Sequence, residues 1–160
     1  MASGVVTVPG FVRYPREISG GVLRSWTPSL GICRSNIRRG NLSFYKELFG
    51  FLGWPAIYEG EGMLGVAGKS GDSLWFAEGA NDAKNDYDGV GMNHLGIATT
   101  KQSEVDEAAA YLKSKGIPAI FETPRHRSEF ASNEKDTYYQ VMFASPDNIL
   151  FEIVYTGPKE

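Results

Sequence analysis

Pro28-Ser29-Leu30-Gly31-Ile32 recurs 65 residues later as Asn93-His94-Leu95-Gly96-Ile97. In each copy, Leu-Gly-Ile opens an apolar stretch that reads as a strand, over 29–34 and 92–99, and an amphipathic stretch follows. In the first, Asn41 is placed as an N-cap, and Leu42, Tyr45, Leu48, Phe49 and Leu52 recur at helical spacing. Gly53 and Pro55 end that helix. In the second, Ser103 with Asp106 three residues on resembles a capping box, and Val105, Ala108, Ala109 and Leu112 mark the buried face. Gly116 and Pro118 end it.

Short strands are expected after each helix: 56–59, 63–67 and 73–78 in the first half, and 119–122, 138–144 and 149–156 in the second. Ser145-Pro146-Asp147-Asn148 makes the tight turn between the last two. Each half therefore reads β-α-β-β-β. The expected fold class is α+β, with two tandem modules, 27–80 and 92–160, forming a shared curved-sheet cleft. A polar, Gly-rich linker over 81–91 joins them, and residues 1–26, broken by Pro9, Pro15 and Gly20-Gly21, form an N-terminal arm. One face of each sheet lies under its helix, and the other is left to line the cleft.

Bulk properties bound the function. The chain has 160 residues, 42% of them hydrophobic, enough for a real core. A net charge of −3 argues against a nucleic-acid or anionic-membrane partner. No apolar run approaches the roughly 18 residues of a membrane span, and the first residues lack the basic n-region of a signal peptide. One cysteine, Cys33, cannot form an internal disulfide, so a cytoplasmic location is expected.

The two halves resemble the vicinal oxygen chelate superfamily: glyoxalase I, extradiol dioxygenases, fosfomycin-resistance and bleomycin-resistance proteins. The carrying residues are Asn93 to Ile97, the helix from Val105 to Gly116, and Tyr138-Tyr139-x-x-x-Phe143-x-Ser-Pro-Asp-x-x-x-x-Glu152. The first half adds Asn41-Leu42-Ser43-Phe44-Tyr45-x-x-Leu48-Phe49-Gly50-Phe51-Leu52-Gly53-Trp54. The resemblance covers about residues 27–156. It implies one metal ligand on the first strand and one on the last strand of each module. Carried over, His94 and Glu152 match the ligands of the second module. The first module departs from the pattern: Ser29 stands where His is usual, and Phe76 where an acid, Gln or His is usual. Glu78, two residues beyond Phe76 and on the same strand face, is a candidate shifted third ligand or general base.

A neutral imidazole and a carboxylate with open positions suit a divalent metal such as Fe, Mn, Ni or Zn. The resemblance then implies Glu152 and Glu78 as catalytic groups and His94, Glu152 and Glu78 as the metal set. Ser29, Cys33, Phe76, Tyr138, Tyr139 and His126 are the expected substrate pocket, with His126 carried on a loop over 123–137. Two readings of function stay open. One is a metal-dependent lyase, isomerase or dioxygenase acting on a small chelating substrate. The other is a metal-free, bleomycin-resistance-like protein that sequesters an aromatic or drug-like molecule. Family habit also implies a homodimer.

Overall fold

The computed structural model describes residues 30–160; Ser29 and the arm expected over 1–26 lie outside them. Ten regular elements follow the expected order: β1 (Ile32–Ile37), α1 (Leu42–Phe51), β2 (Ala56–Gly60), β3 (Met63–Ala67), β4 (Ser73–Glu78), β5 (Leu95–Thr99), α2 (Gln102–Ser114), β6 (Ile120–His126), β7 (Asp136–Ala144) and β8 (Leu150–Pro158). A 3-10 turn at Ser128–Phe130 interrupts the β6–β7 connection. The strands form two four-stranded sheets with the same permuted order, β1-β4-β3-β2 and β5-β8-β7-β6. The α+β, two-module architecture expected from the repeat is therefore present.

Both helices end alike. Gly53 and Gly116 take positive φ, at 78° and 70°, the left-handed region that suits glycine after a helix. The next amide then reaches back to the helix end: Trp54 N–H to Phe49 O at 2.8 Å, and Ile117 N–H to Leu112 O at 2.9 Å. The helix starts differ from expectation. Asn41 precedes α1 but sends its amide to Asp147 rather than capping. Helix α2 starts one residue before Ser103, and Glu104 turns back to accept the N–H groups of Thr100 and Lys101 at 2.8 and 3.0 Å. The longer Glu side chain spans that gap, while Asp106, two residues later, accepts the Tyr139 hydroxyl instead.

Two strand boundaries also move. Strand β5 starts at Leu95, so His94 lies in the irregular segment before it. Strand β6 runs on to His126, so Arg125 and His126 belong to a strand and not to a loop over 123–137. Arg125 pairs with Gln140 and His126 with Tyr139, after an irregularity that separates them from the Ile120–Met142 pair. Positive φ at Phe121 and Glu122, and a cis Thr123–Pro124 bond, lie within that irregularity. Pro124 lacks the N–H that a continuous ladder needs, and this irregularity hid the strand from pattern reading.

By internal contacts the described residues form two compact units: 30–95 with Phe143–Phe151, and Gly96–Met142 with Glu152–Glu160. In the first, α1 covers one face of its sheet. Phe76 stacks on Tyr45 with centroids 4.1 Å apart, and Phe49, Phe151 and Phe143 complete the aromatic core. In the second, Val105, Ala108 and Leu112 are the buried face of α2.

Candidate functional site

Register decides which side chains share a face, because neighbours in a ladder point the same way and alternate along the strand. In the first sheet, Cys33 pairs with Leu74, Ser35 with Phe76 and Ile37 with Glu78. Phe76 packs on α1, so Cys33, Phe76 and Glu78 all belong to the helix-covered face. Phe76 is therefore core, 1% exposed, and does not line a pocket on the open face. Cys33 is half-buried on that same inner face. Glu78 accepts the N–H of Gly40, just ahead of α1, at 2.7 Å. A carboxylate there ties the end of β4 to the turn that leads into α1. The repeat read from the sequence matched Phe76 to Glu152. By face, Phe76 is matched by Phe151, since both pack on Tyr45 and Phe49.

In the second unit, Tyr138 and Tyr139 point to opposite faces. Tyr139 donates to Asp106 of α2 at 2.6 Å, on the helix side. The ring of His126 packs over it at 4.5 Å, and His126 Nδ1 meets Thr137 Oγ1 at 2.7 Å. His126 and Tyr139 thus form a polar cluster on the helix-facing side, apart from Tyr138. Tyr138 turns to the open face and donates to Glu152 Oε1 at 2.9 Å. Burial, and then the negative charge of Glu152, push the Tyr138 hydroxyl well above the usual tyrosine range, so it remains a donor at any working pH.

Glu152 is 3% exposed in a strand of apolar neighbours, where an unpartnered carboxylate would cost several kcal/mol. Gly96 leaves it room: a Cβ there would come within 3.3 Å of Glu152 Oε2. Beyond Tyr138 the floor continues through Phe130, whose ring meets the Tyr138 ring edge-on at 5.5 Å. The guanidinium of Arg127 lies 4.8 Å from the Phe130 ring centroid.

His94 is exposed, and its ring is oriented by a short chain of hydrogen bonds. Asn93 Nδ2 donates to the carbonyl of Tyr87 at 2.6 Å. That carbonyl only accepts, so the amide orientation is settled and Asn93 Oδ1 is left as an acceptor. His94 Nδ1 lies 2.8 Å from that oxygen, and since the oxygen only accepts, Nδ1 carries a ring proton. Sequence reasoning singled out His94 and passed over Asn93 and Tyr87, although Asn93 stood in the repeat itself.

The expected metal set was His94, Glu152 and Glu78. Among the described residues, no three His, Cys, Asp or Glu side chains gather closely enough to hold an ion. Glu78, turned to the α1 side, is the member that the register removes. The donors present do not fit a three-ligand site. Among the described residues, no helix is long and apolar enough to cross a membrane.

No family model matches the chain, and no curated protein does. Solved structures do match. A candidate glyoxalase from Bacillus halodurans is 23% identical over 79% of this chain and 94% of its own, with a TM-score of 0.66. A glyoxylase/bleomycin resistance protein/dioxygenase domain from Frankia sp. EAN1pec is 18% identical over 85% and 95%, with a TM-score of 0.60. The fosfomycin resistance protein FosX from Listeria monocytogenes is 20% identical over 81% and 94%, with a TM-score of 0.58. A variant of FosX was solved with Mn(II) and 1S,2S-dihydroxypropylphosphonic acid. At these identities the likeness is one of fold.

Proposed function

The chain has the vicinal oxygen chelate fold, and from that premise we propose a glyoxalase/dioxygenase-like enzyme that moves a proton on a small oxygen-rich substrate, with Glu152 as the base. The observation that carries this reading is the buried Glu152 carboxylate held by Tyr138. A charge kept in an apolar strand, at a cost, supports a chemical duty.

Glu152 takes the proton from a carbon next to a carbonyl. The electron pair of the broken C–H bond moves onto the carbonyl oxygen, giving an enediolate and a neutral carboxyl group. That proton exchanges with solvent while it sits on the carboxyl group and is then delivered to the adjacent carbon, as the substrate's hydroxyl proton passes to the former carbonyl oxygen and its own oxygen becomes the new carbonyl. Tyr138 holds Oε1 throughout, and the proton is proposed to move through Oε2, on the Gly96 side. No step is assigned to a divalent metal, because the described donors do not form the three-ligand set.

The test is proton exchange into deuterated water at the α-carbon of small 2-hydroxy ketones and of hemithioacetals of 2-oxoaldehydes, followed by NMR. The wild-type chain should exchange at least one class. Glu152→Gln should lower the rate at least about 100-fold, within the usual range for a general base, and Tyr138→Phe should lower it less. Wild-type-like exchange in Glu152→Gln, or no exchange by the wild type on either class, overturns the proposal.

A further inference from the structure

The open face of the first sheet carries one cross-strand row that none of the chemistry above uses. Tyr58 on β2 pairs with Gly65 on β3, Gly65 with Trp75 on β4, and Trp75 with Arg34 on β1. All four lie on the face away from α1, because Phe76, next to Trp75, points to α1.

Gly65 makes the row possible. A Cβ at that position would meet the Trp75 ring at 3.0 Å, so the missing side chain lets the indole lie down on β3. From the other side the Tyr58 ring leans to within 5.8 Å of Trp75, tilted by 35°. The polar edge of the indole is satisfied within the sheet: Trp75 Nε1–H donates to Ser73 Oγ at 3.2 Å, and Ser73 donates on to Gly31 O at 3.1 Å. Trp75 therefore presents its ring face rather than a hydrogen-bonding edge. Tyr58 is 42% exposed, and Arg34 beside Trp75 is exposed as well. Ile32, on the same side of β1 as Arg34, is 69% exposed and extends the apolar ground.

An aromatic pair of half-buried Trp75 and exposed Tyr58, with an exposed guanidinium next to it in register, matches one chemistry. A planar ring gains stacking on Trp75 and Tyr58, and a carboxylate on that ring gains the two-pronged donor of Arg34. A saturated acid loses the stacking, and an uncharged ring loses the ion pair. We propose that Tyr58, Trp75 and Arg34 form a binding subsite for a planar aromatic carboxylate. It stands on the first unit alone and does not depend on the role proposed for Glu152.

The test uses 2-naphthoate and the full chain with 15N-labelled tryptophan. The chain has three tryptophans, so Trp75→Phe identifies the Trp75 indole signal by its loss. Titrated 2-naphthoate should move that signal. Arg34→Gln should weaken binding about tenfold, which corresponds to about 1.4 kcal/mol. 2-Naphthylmethanol should bind more weakly than the acid, and cyclohexanecarboxylate should leave the signal in place. Glu152→Gln should bind 2-naphthoate like the wild type, so the subsite and the proton chemistry stand or fall separately. An unmoved Trp75 signal overturns the proposal, as does equal binding by Arg34→Gln or equal binding of the cyclohexane acid. Arg34 is exposed, and retained dispersion in the same spectra shows that the variant is folded.

Discussion

The hydroxyl of Tyr45, on α1, donates to Oδ2 of Asp147 at 2.7 Å and ties together residues 102 apart in the chain. Ser145 Oγ lies 3.0 Å from the same hydroxyl. Tyrosine has one proton to give, and a carboxylate only accepts, so Ser145 is the donor in the second bond. Asp147 also accepts the N–H of Arg38 at 2.8 Å and the amide of Asn41 at 3.0 Å. The tight turn at 145–148 is thus latched to the corner between β1 and α1.

Breaking that latch should be felt in stability. Asp147→Ala removes the acceptor for three donors, and Tyr45→Phe removes one charge-assisted bond. The expected losses are about 2–3 kcal/mol and about 1–2 kcal/mol, at the usual worth of hydrogen bonds to charged groups. Urea unfolding reads them. A loss below about 0.5 kcal/mol in Asp147→Ala, the level of an ordinary surface change, would mean that the turn is not held by this carboxylate.

Alkali should destabilise the chain before it damages it. Tyr139 is pushed up to about 12, first by burial and then by its hydrogen bond to Asp106. Tyr45 and Tyr138 are raised further, in each case chiefly by burial. The folded chain therefore keeps protons that the unfolded chain releases above about pH 10. This contribution is fully present below pH 10 and is lost as pH rises towards 12. The urea midpoint should fall across that window, and the fall should be shallower in Tyr139→Phe. An equal fall in the variant would clear Tyr139 of any part in it.

The ring of His94 should carry its proton on Nδ1. The chain has two histidines, so long-range proton–nitrogen spectra can be assigned by substituting one of them. Asn93→Ala removes the accepting oxygen, and the Nδ1–H form should give way to a mixture or to Nε2–H. Nε2–H in the wild type, or no change in Asn93→Ala, would break the link from Tyr87 through Asn93.

Glu78 should be silent in metal uptake. Chains loaded with Mn(II), Fe(II), Ni or Zn and analysed for bound metal should give the same stoichiometry with Glu78 or with Glu78→Gln. A drop in the variant would mean that Glu78 leaves Gly40 and the α1 side to take part in a site.

Much of the fold was legible because its signals are local. Leu42, Tyr45, Leu48 and Phe49 recur at helical spacing, and glycine after each helix supplies the positive φ of the stop. The strands β2, β3 and β4 were bounded by turn residues on both sides and appear within a residue of the expected bounds. Strand β6 was less legible, because Pro124 and the positive-φ pair Phe121 and Glu122 imitate a loop.

The candidate site was legible in composition and not in arrangement. His94 and Glu152 stood out as residue types that need a reason in apolar surroundings. Phe76, Glu78 and Cys33 drew attention by their place in the repeat, and register sends all three to the helix side. The Tyr58–Gly65–Trp75–Arg34 row had no sequence signal at all, since its four members come from four strands.

The sequence by itself determined the two-module order of strands and helices, the helix stops and the residue types available for chemistry. These depend on backbone propensity and on periodicity within a few residues. The tertiary structure decided which of those residues share a face. A strand's side chains alternate, so a shift of one residue in pairing moves every one of them to the other side. That pairing is set by packing against distant segments, such as Phe76 on Tyr45 and Asp147 on Tyr45, and not by the strand's own residues.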